Sequence, residues 1–120
     1  MTEITLFDSE IKIMNIVWEA KIITAKEVSL IAADSIGWNK NTTYTILNKL
    51  IQKGAISRSH PNFTCQPLIS KEQVQIKETK KLVQKLYEGS AKIFLSSFIE
   101  KENLSDADLQ ALRDIIDKKL

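Results

Sequence analysis

Between Asn39 and Gly54 the chain carries its own start and stop signals for a helix, and the helix between them has two unlike faces. Asn39 can accept a free amide of the first turn. Gly54 suits the left-handed residue that closes a helix, and Lys53 complements the dipole in the last turn. On a helical wheel Thr43, Ile46, Leu47, Leu50 and Ile51 gather on one side. Asn41, Thr42, Thr45, Asn48, Lys49 and Gln52 gather on the other. The first set requires a core beneath it. The second offers amides, hydroxyls and a lysine with no carboxylate, whereas an ordinary solvated face mixes both signs. Groups of this kind can read base edges and neutralise phosphates.

The charge distribution agrees. Net charge is only +2, so bulk charge carries no signal, yet residues 35–70 contain no Asp or Glu while holding Lys40, Lys49, Lys53 and Arg58. A local basic stripe on a nearly neutral protein is the footprint expected of a small DNA binder. Candidates for direct or backbone contact are Lys40, Asn41, Thr42, Tyr44, Thr45, Asn48, Lys49 and Arg58, with Lys53 a further candidate for the backbone. Tyr44 lies at the flank of the wheel, placed either on a phosphate or against Trp38. Amides near residues 39–41 suit a phosphate as well.

The elements around this helix follow from local signals. A first helix is expected over residues 9–20, capped by Asp8, with Ile11, Met14, Val17 and Trp18 inward. Residues 21–23 read as a short turn. Thr24-Ala25-Lys26-Glu27 is a capping box, a hydroxyl followed three residues later by a carboxylate. It opens a second helix to about Ala33, with Val28, Ile31 and Ala32 inward. After Gly54, residues 55–59 alternate as a strand does. His60-Pro61-Asn62 marks a turn, and residues 63–66 return as a second strand ended by Pro67. Three helices and a small hairpin make a winged helix-turn-helix, expected over residues 1–70.

Residues 71–120 read as helix again. Ile76, Leu82, Val83, Leu86 and Tyr87 form a stripe that Gly89 interrupts. A helix follows over residues 90–101, and Ser105 caps a last one whose apolar side holds Leu109, Leu112, Ile115, Ile116 and Leu120. Three brief amphipathic helices cannot enclose a core alone. A second copy of the chain is the cheapest partner, which makes this half a dimerisation arm with Val83, Leu86, Tyr87, Phe94, Phe98, Leu109, Leu112 and Ile116 as its contact residues. The fold class is thus mainly α with a small β-hairpin wing.

Other chemistries find little support. The one cysteine, Cys65, forbids an internal disulfide and fits a reducing compartment. A Cys65–His60 hydrolase would need a third orienting group, and no acid lies nearby. No second Cys or His completes a zinc site, and there is no phosphate-binding glycine loop. No cofactor or metal is expected, and no enzymatic activity. The N-terminus Met1-Thr2-Glu3-Ile4-Thr5-Leu6 does not read as a secretory signal, and no apolar run could span a bilayer, so a cytoplasmic protein without membrane insertion is expected.

With these elements in place the chain resembles the BlaI/MecI/CopY family of bacterial repressors. The likeness is carried by Asp8-Ser9-Glu10-Ile11-Lys12-Ile13-Met14-Asn15-Ile16-Val17-Trp18, by Thr24-Ala25-Lys26-Glu27-Val28, and most specifically by residues 38–54. Leu86-Tyr87-Glu88-Gly89-Ser90 and the stretch from Leu104-Ser105 to Leu112 add to it. The resemblance implies a homodimeric transcriptional repressor on a palindromic operator, often with TACA and TGTA half-site cores. It places contacting residues at Asn41, Thr42, Thr45 and Lys49. In the penicillinase-repressor branch a membrane sensor protease triggers cleavage of an Asn-Phe bond in the arm; here the matching bond is Ser97-Phe98, which keeps the Phe and lacks the Asn. The Cys-rich metal-binding tail of the CopY branch is absent. The wing is about two residues shorter than the family's pattern, with Pro61-Asn62 at a tip that is usually Gly-Arg, so phosphate contact by the wing is expected either to be weaker or to be carried by Arg58 and His60 instead. The competing reading is a winged-helix module that binds a protein and no DNA. It would need an exposed apolar or acidic patch on the third helix, where the sequence has the opposite.

Overall fold

The computed structural model describes residues 4–120; Met1-Thr2-Glu3, part of the N-terminus read above as non-secretory, lies outside them. The chain divides into two compact units, Met1–Gln75 and Ile76–Leu120.

The first unit holds α1 (Asp8–Ala20), β1 (Ile23–Thr24), α2 (Ala25–Ser35), α3 (Lys40–Lys53), β2 (Ile56–Ser59) and β3 (Thr64–Pro67). Its core is a single cluster in which Ile13, Met14, Val17, Val28, Leu47, Leu50, Ile56 and Cys65 are fully or almost fully buried. Each large aliphatic side chain so enclosed contributes roughly 1.5–3 kcal/mol. The strands form one antiparallel sheet in the order β1-β3-β2, with Ile23 opposite Cys65 and Arg58 also opposite Cys65.

Four expectations are corrected here. The segment read as a turn at residues 21–23 supplies β1, a two-residue strand that pairs with Cys65 and Thr64. The returning strand runs over Thr64–Pro67 rather than residues 63–66, with Pro67 as its last residue, paired with Ile56. Proline is tolerated there because β1 extends only along Thr64 and Cys65, so no ladder donor is lost on that side. The first helix starts at Asp8, and its cap residue is Phe7, which has no side-chain acceptor; the Glu10 carboxylate takes the Phe7 amide at 2.7 Å instead. In α2 the inward residues are Ala25, Val28, Ser29 and Ala32, while Ile31 is exposed. These four positions, spaced i, i+3, i+4 and i+7, are small enough for α2 to lie close to its neighbours.

The expected caps of α2 and α3 are present. Thr24 Oγ1 accepts the Glu27 amide at 3.2 Å and Glu27 Oε1 accepts the Thr24 amide at 3.2 Å, completing the box. Asn39 Oδ1 accepts the Thr42 amide at 2.8 Å. Gly54 closes α3 at φ 81°, donating to Ile51 and Leu50 carbonyls. The Trp18 indole donates to the Ile69 carbonyl at 2.9 Å, fixing the strand exit to α1.

The helix α4 (Lys71–Leu86) begins in the first unit and continues into the second, which also holds α5 (Ala91–Lys101) and α6 (Asp106–Lys119). Ser105 caps α6 as the sequence predicts, and Ser90, read from the sequence as the first residue of its helix, is the cap of α5. The contrast with the first unit is in burial: neither α5 nor α6 has a buried residue. Val83 is enclosed, and Tyr87, Phe94 and Phe98 form an aromatic run with centroid spacings of 5.2 and 6.0 Å. Leu86, Ile93, Leu95, Phe98, Ile115 and Ile116 are exposed.

Candidate nucleic-acid interface

The third helix stands on the core through Thr43, Ile46, Leu47 and Leu50, all buried. That fixes its rotation, because these positions recur on one face. Asn41, Thr42, Thr45, Asn48, Lys49 and Gln52 are consequently exposed together on the opposite face. Lys40 and Arg58 are also exposed, and among the described residues neither they nor Lys49 has an ion-pair partner. The amides of Lys40 and Asn41 fall in the first turn of α3, where no intrahelical carbonyl reaches them. The result is a polar, acid-free face with donors at its N-terminal end.

Individual groups are further specified by their hydrogen bonds. Thr45 Oγ1 donates to the Asn41 carbonyl at 2.8 Å. With its proton committed there, Thr45 presents its methyl group and oxygen lone pairs outward, a set suited to a thymine methyl or a base amino group. The Asn39 side-chain oxygen is held by the cap. Asn48 and Lys49 carry no such restraint among the described residues.

Two residues are placed differently from the sequence reading. Lys53, a candidate for the DNA backbone, is committed elsewhere: its ammonium lies 2.6 Å from Glu10 Oε1 and donates to the Thr5 carbonyl at 2.9 Å. Glu10 is 1% exposed, so this is a nearly dry carboxylate held by one cation and one amide. Lys53 also sits 4.3 Å from the Phe7 ring centroid. The pair ties the C-terminal end of α3 to the start of α1. Sequence spacing alone carries no signal for it, because the partners are 43 residues apart. Tyr44 packs against Phe63 rather than Trp38, edge to face at 5.8 Å. Phe63, which the sequence reading passed over, also lies 3.9 Å beneath the Arg58 guanidinium.

His60 is exposed at the turn and Cys65 is buried in the central strand, its sulfur facing the Phe63 carbonyl at 3.8 Å. Burial pushes the Cys65 thiol above its usual range, which is opposite to what a nucleophile needs. Among the described residues there is no cluster of three metal-ligating side chains, and no helix is long and apolar enough to cross a membrane.

In the arm, Leu86, Phe98, Leu109 and Ile116 are exposed and Leu112 is half-buried. Val83 is buried, and Tyr87 and Phe94 are half-buried with their ring centroids 5.2 Å apart. Ile93, Leu95 and Ile115 are exposed as well and were not among the predicted contact residues. The Ser97-Phe98 bond lies inside α5, with helix on both sides.

Comparison with known proteins places this architecture. The methicillin resistance regulatory protein MecI of Staphylococcus aureus (strain N315) is 30% identical over 113 residues, 92% of each chain. The penicillinase repressor of Bacillus licheniformis is 24% identical over 113 residues, covering 92% of this chain and 88% of that one. The solution structure of the DNA-binding domain of the repressor BlaI superposes with a TM-score of 0.54 at 28% identity, over 59% of this chain and 90% of the other. The structure of Bacillus licheniformis BlaI in monomeric form, in complex with the blaP half-operator, gives 0.52 at 28% identity, over 60% and 92%. The family model described as penicillinase repressor matches residues 6–118. The chain, a winged helix followed by three further helices, belongs to the penicillinase repressor family of transcriptional repressors.

Proposed function

We propose that this chain is a sequence-specific repressor that binds a palindromic operator as a homodimer. The observation that carries the reading is the outward face of α3: Asn41, Thr42, Thr45, Asn48, Lys49 and Gln52, exposed together, free of carboxylates and mounted on a packed core. Each α3 enters a major groove, where Thr45, Asn48 and Asn41 meet base edges and Lys49 with Lys40 meets phosphates. Tyr44 and Arg58 lie at the margin of the groove. Repression follows from occupying promoter DNA. The BlaI structure in complex with a half-operator supports operator DNA as the partner of the winged helix.

The arm supplies the second copy. Its uncovered apolar side chains, Leu86, Ile93, Leu95, Phe98, Leu109, Ile115 and Ile116, need a partner surface, and a self-complementary one matches a two-fold operator. Induction is proposed to come from a membrane sensor protease acting on the arm, the Ser97-Phe98 bond being the matching position. Since that bond is helical, α5 must open locally before a protease can engage it.

The test is fluorescence anisotropy with the full chain titrated onto duplex DNA from upstream of its own gene and onto a scrambled duplex, at two salt concentrations. The reading expects a preference of about a thousandfold or more and two chains per duplex. Equal, weak and salt-erased binding to both would favour a winged-helix module that binds protein instead.

A further inference from the structure

Phe63 occupies a junction that the proposed contacts share. Its ring carries the Arg58 guanidinium of β2 at 3.9 Å and takes the Tyr44 ring of α3 edge-on at 5.8 Å, with an interplanar angle of 85°. Tyr44 in turn lies 5.6 Å from the Lys40 ammonium. The Phe63 carbonyl accepts the amide of Ala25, the first residue of α2, at 2.9 Å. Phe63 itself is held at φ 49°, which turns the chain sharply into β3. One residue of the wing therefore touches the wing's own cation, the flank of α3 and the start of α2.

An exposed arginine on a strand samples many rotamers, and fixing it at a phosphate costs entropy. A guanidinium set over an aromatic face loses much of that freedom before DNA arrives. Contact through the ring face also consumes none of its N–H donors, so all remain for phosphate oxygens. Tyr44 over the same residue sets the position of the wing relative to the N-terminal turn of α3, where Lys40 stands.

We propose that Phe63 is a positioning residue for DNA binding. Its ring presets Arg58, and through Tyr44 the Lys40 end of α3, so that wing and helix meet one phosphate backbone as a unit. This inference rests on the reading of α3 and the wing as the DNA-binding surface.

The experiment is a double-substitution cycle on the full chain, with Phe63→Leu, Arg58→Ala and the pair, each titrated onto the upstream duplex over a range of salt. Phe63→Leu keeps an apolar side chain and removes the ring. It is expected to weaken binding about fivefold and to lower the salt slope toward that of Arg58→Ala. Arg58→Ala should cost less than about twofold when added to Phe63→Leu, although it costs more in the wild-type background. Phe63→Tyr, which retains the ring, should bind as wild type does. In the free protein, the Arg58 side-chain protons should show upfield ring-current shifts that vanish in Phe63→Leu. Losses that simply add, or wild-type affinity in Phe63→Leu, would overturn the inference while leaving the DNA-binding function intact. A wild-type protein that binds no duplex would overturn both.

Discussion

The two units of this chain draw on similar amino acids and bury them very differently. Among the described residues, fourteen buried apolar side chains lie in the first unit, from Leu6 to Cys65, and one, Val83, in the second. The first unit encloses a core because three helices and a sheet converge on it from different directions. The second has three amphipathic helices whose apolar sides remain largely open. The difference separates two tasks. One unit is finished as a rigid platform for a reading helix. The other is chemically incomplete, and on the proposed function its completion by a second copy sets the spacing of two such platforms.

Removing the second unit should have the largest effect. A fragment ending at Gln75 is expected to stay folded by circular dichroism yet lose about a hundredfold or more in affinity for a palindrome, because the two half-sites are no longer bound by a linked pair. An unfolded fragment would break the claim that the first unit is self-sufficient. Next in size are paired substitutions. Leu47→Ala, at a fully buried position in the first unit, should destabilise it by about 2–5 kcal/mol in denaturant unfolding. Ile116→Asp, at an exposed position in the second, should leave the first unit's unfolding midpoint unchanged and shift sedimentation from dimer to monomer. Identical behaviour of the two variants would erase the contrast.

Within the first unit the Glu10–Lys53 pair allows a finer test. Lys53→Met strands a carboxylate that is 1% exposed and should cost about 3 kcal/mol. Glu10→Gln strands an ammonium that is 29% exposed and reached by water, so it should cost less, about 1 kcal/mol. Equal losses in thermal unfolding would show that the burial difference does not govern the pair. The smallest effects on stability belong to the outward face of α3. Lys49→Ala should weaken binding on every sequence and lower the salt slope by about one. Thr45→Ala should reduce discrimination between operator variants more than overall affinity, measured by competition between duplexes.

How much of this was legible in the sequence follows from the range of each interaction. The caps of α2, α3 and α6 were readable because a cap joins residues three apart, as in Thr24 with Glu27 or Asn39 with Thr42. The outward set of α3 was readable for the same reason, since helical geometry alone sorts its two faces. What escaped depends on distant partners. The two-residue strand at Ile23 exists because Cys65 pairs with it. Glu10 caps α1 while being held by Lys53, and Tyr44 turns to Phe63 because the wing folds back there. Ile31 was misassigned because hydrophobicity suggested burial where close helix packing selected Ala25, Ser29 and Ala32. Which of the arm's side chains remain open was not legible either: Val83 is buried and the Tyr87 and Phe94 rings meet, while Leu86, Ile93 and Phe98 around them stay exposed.

The most direct test of the central claim is selection of bound duplexes from a randomised DNA library by the full chain. The account predicts enrichment of a two-fold palindrome with half-sites about one helical turn or a multiple apart, retained by a complex of two chains and blurred at specific positions by Thr45→Ala. A library that emerges unenriched from a folded, dimeric protein would contradict it.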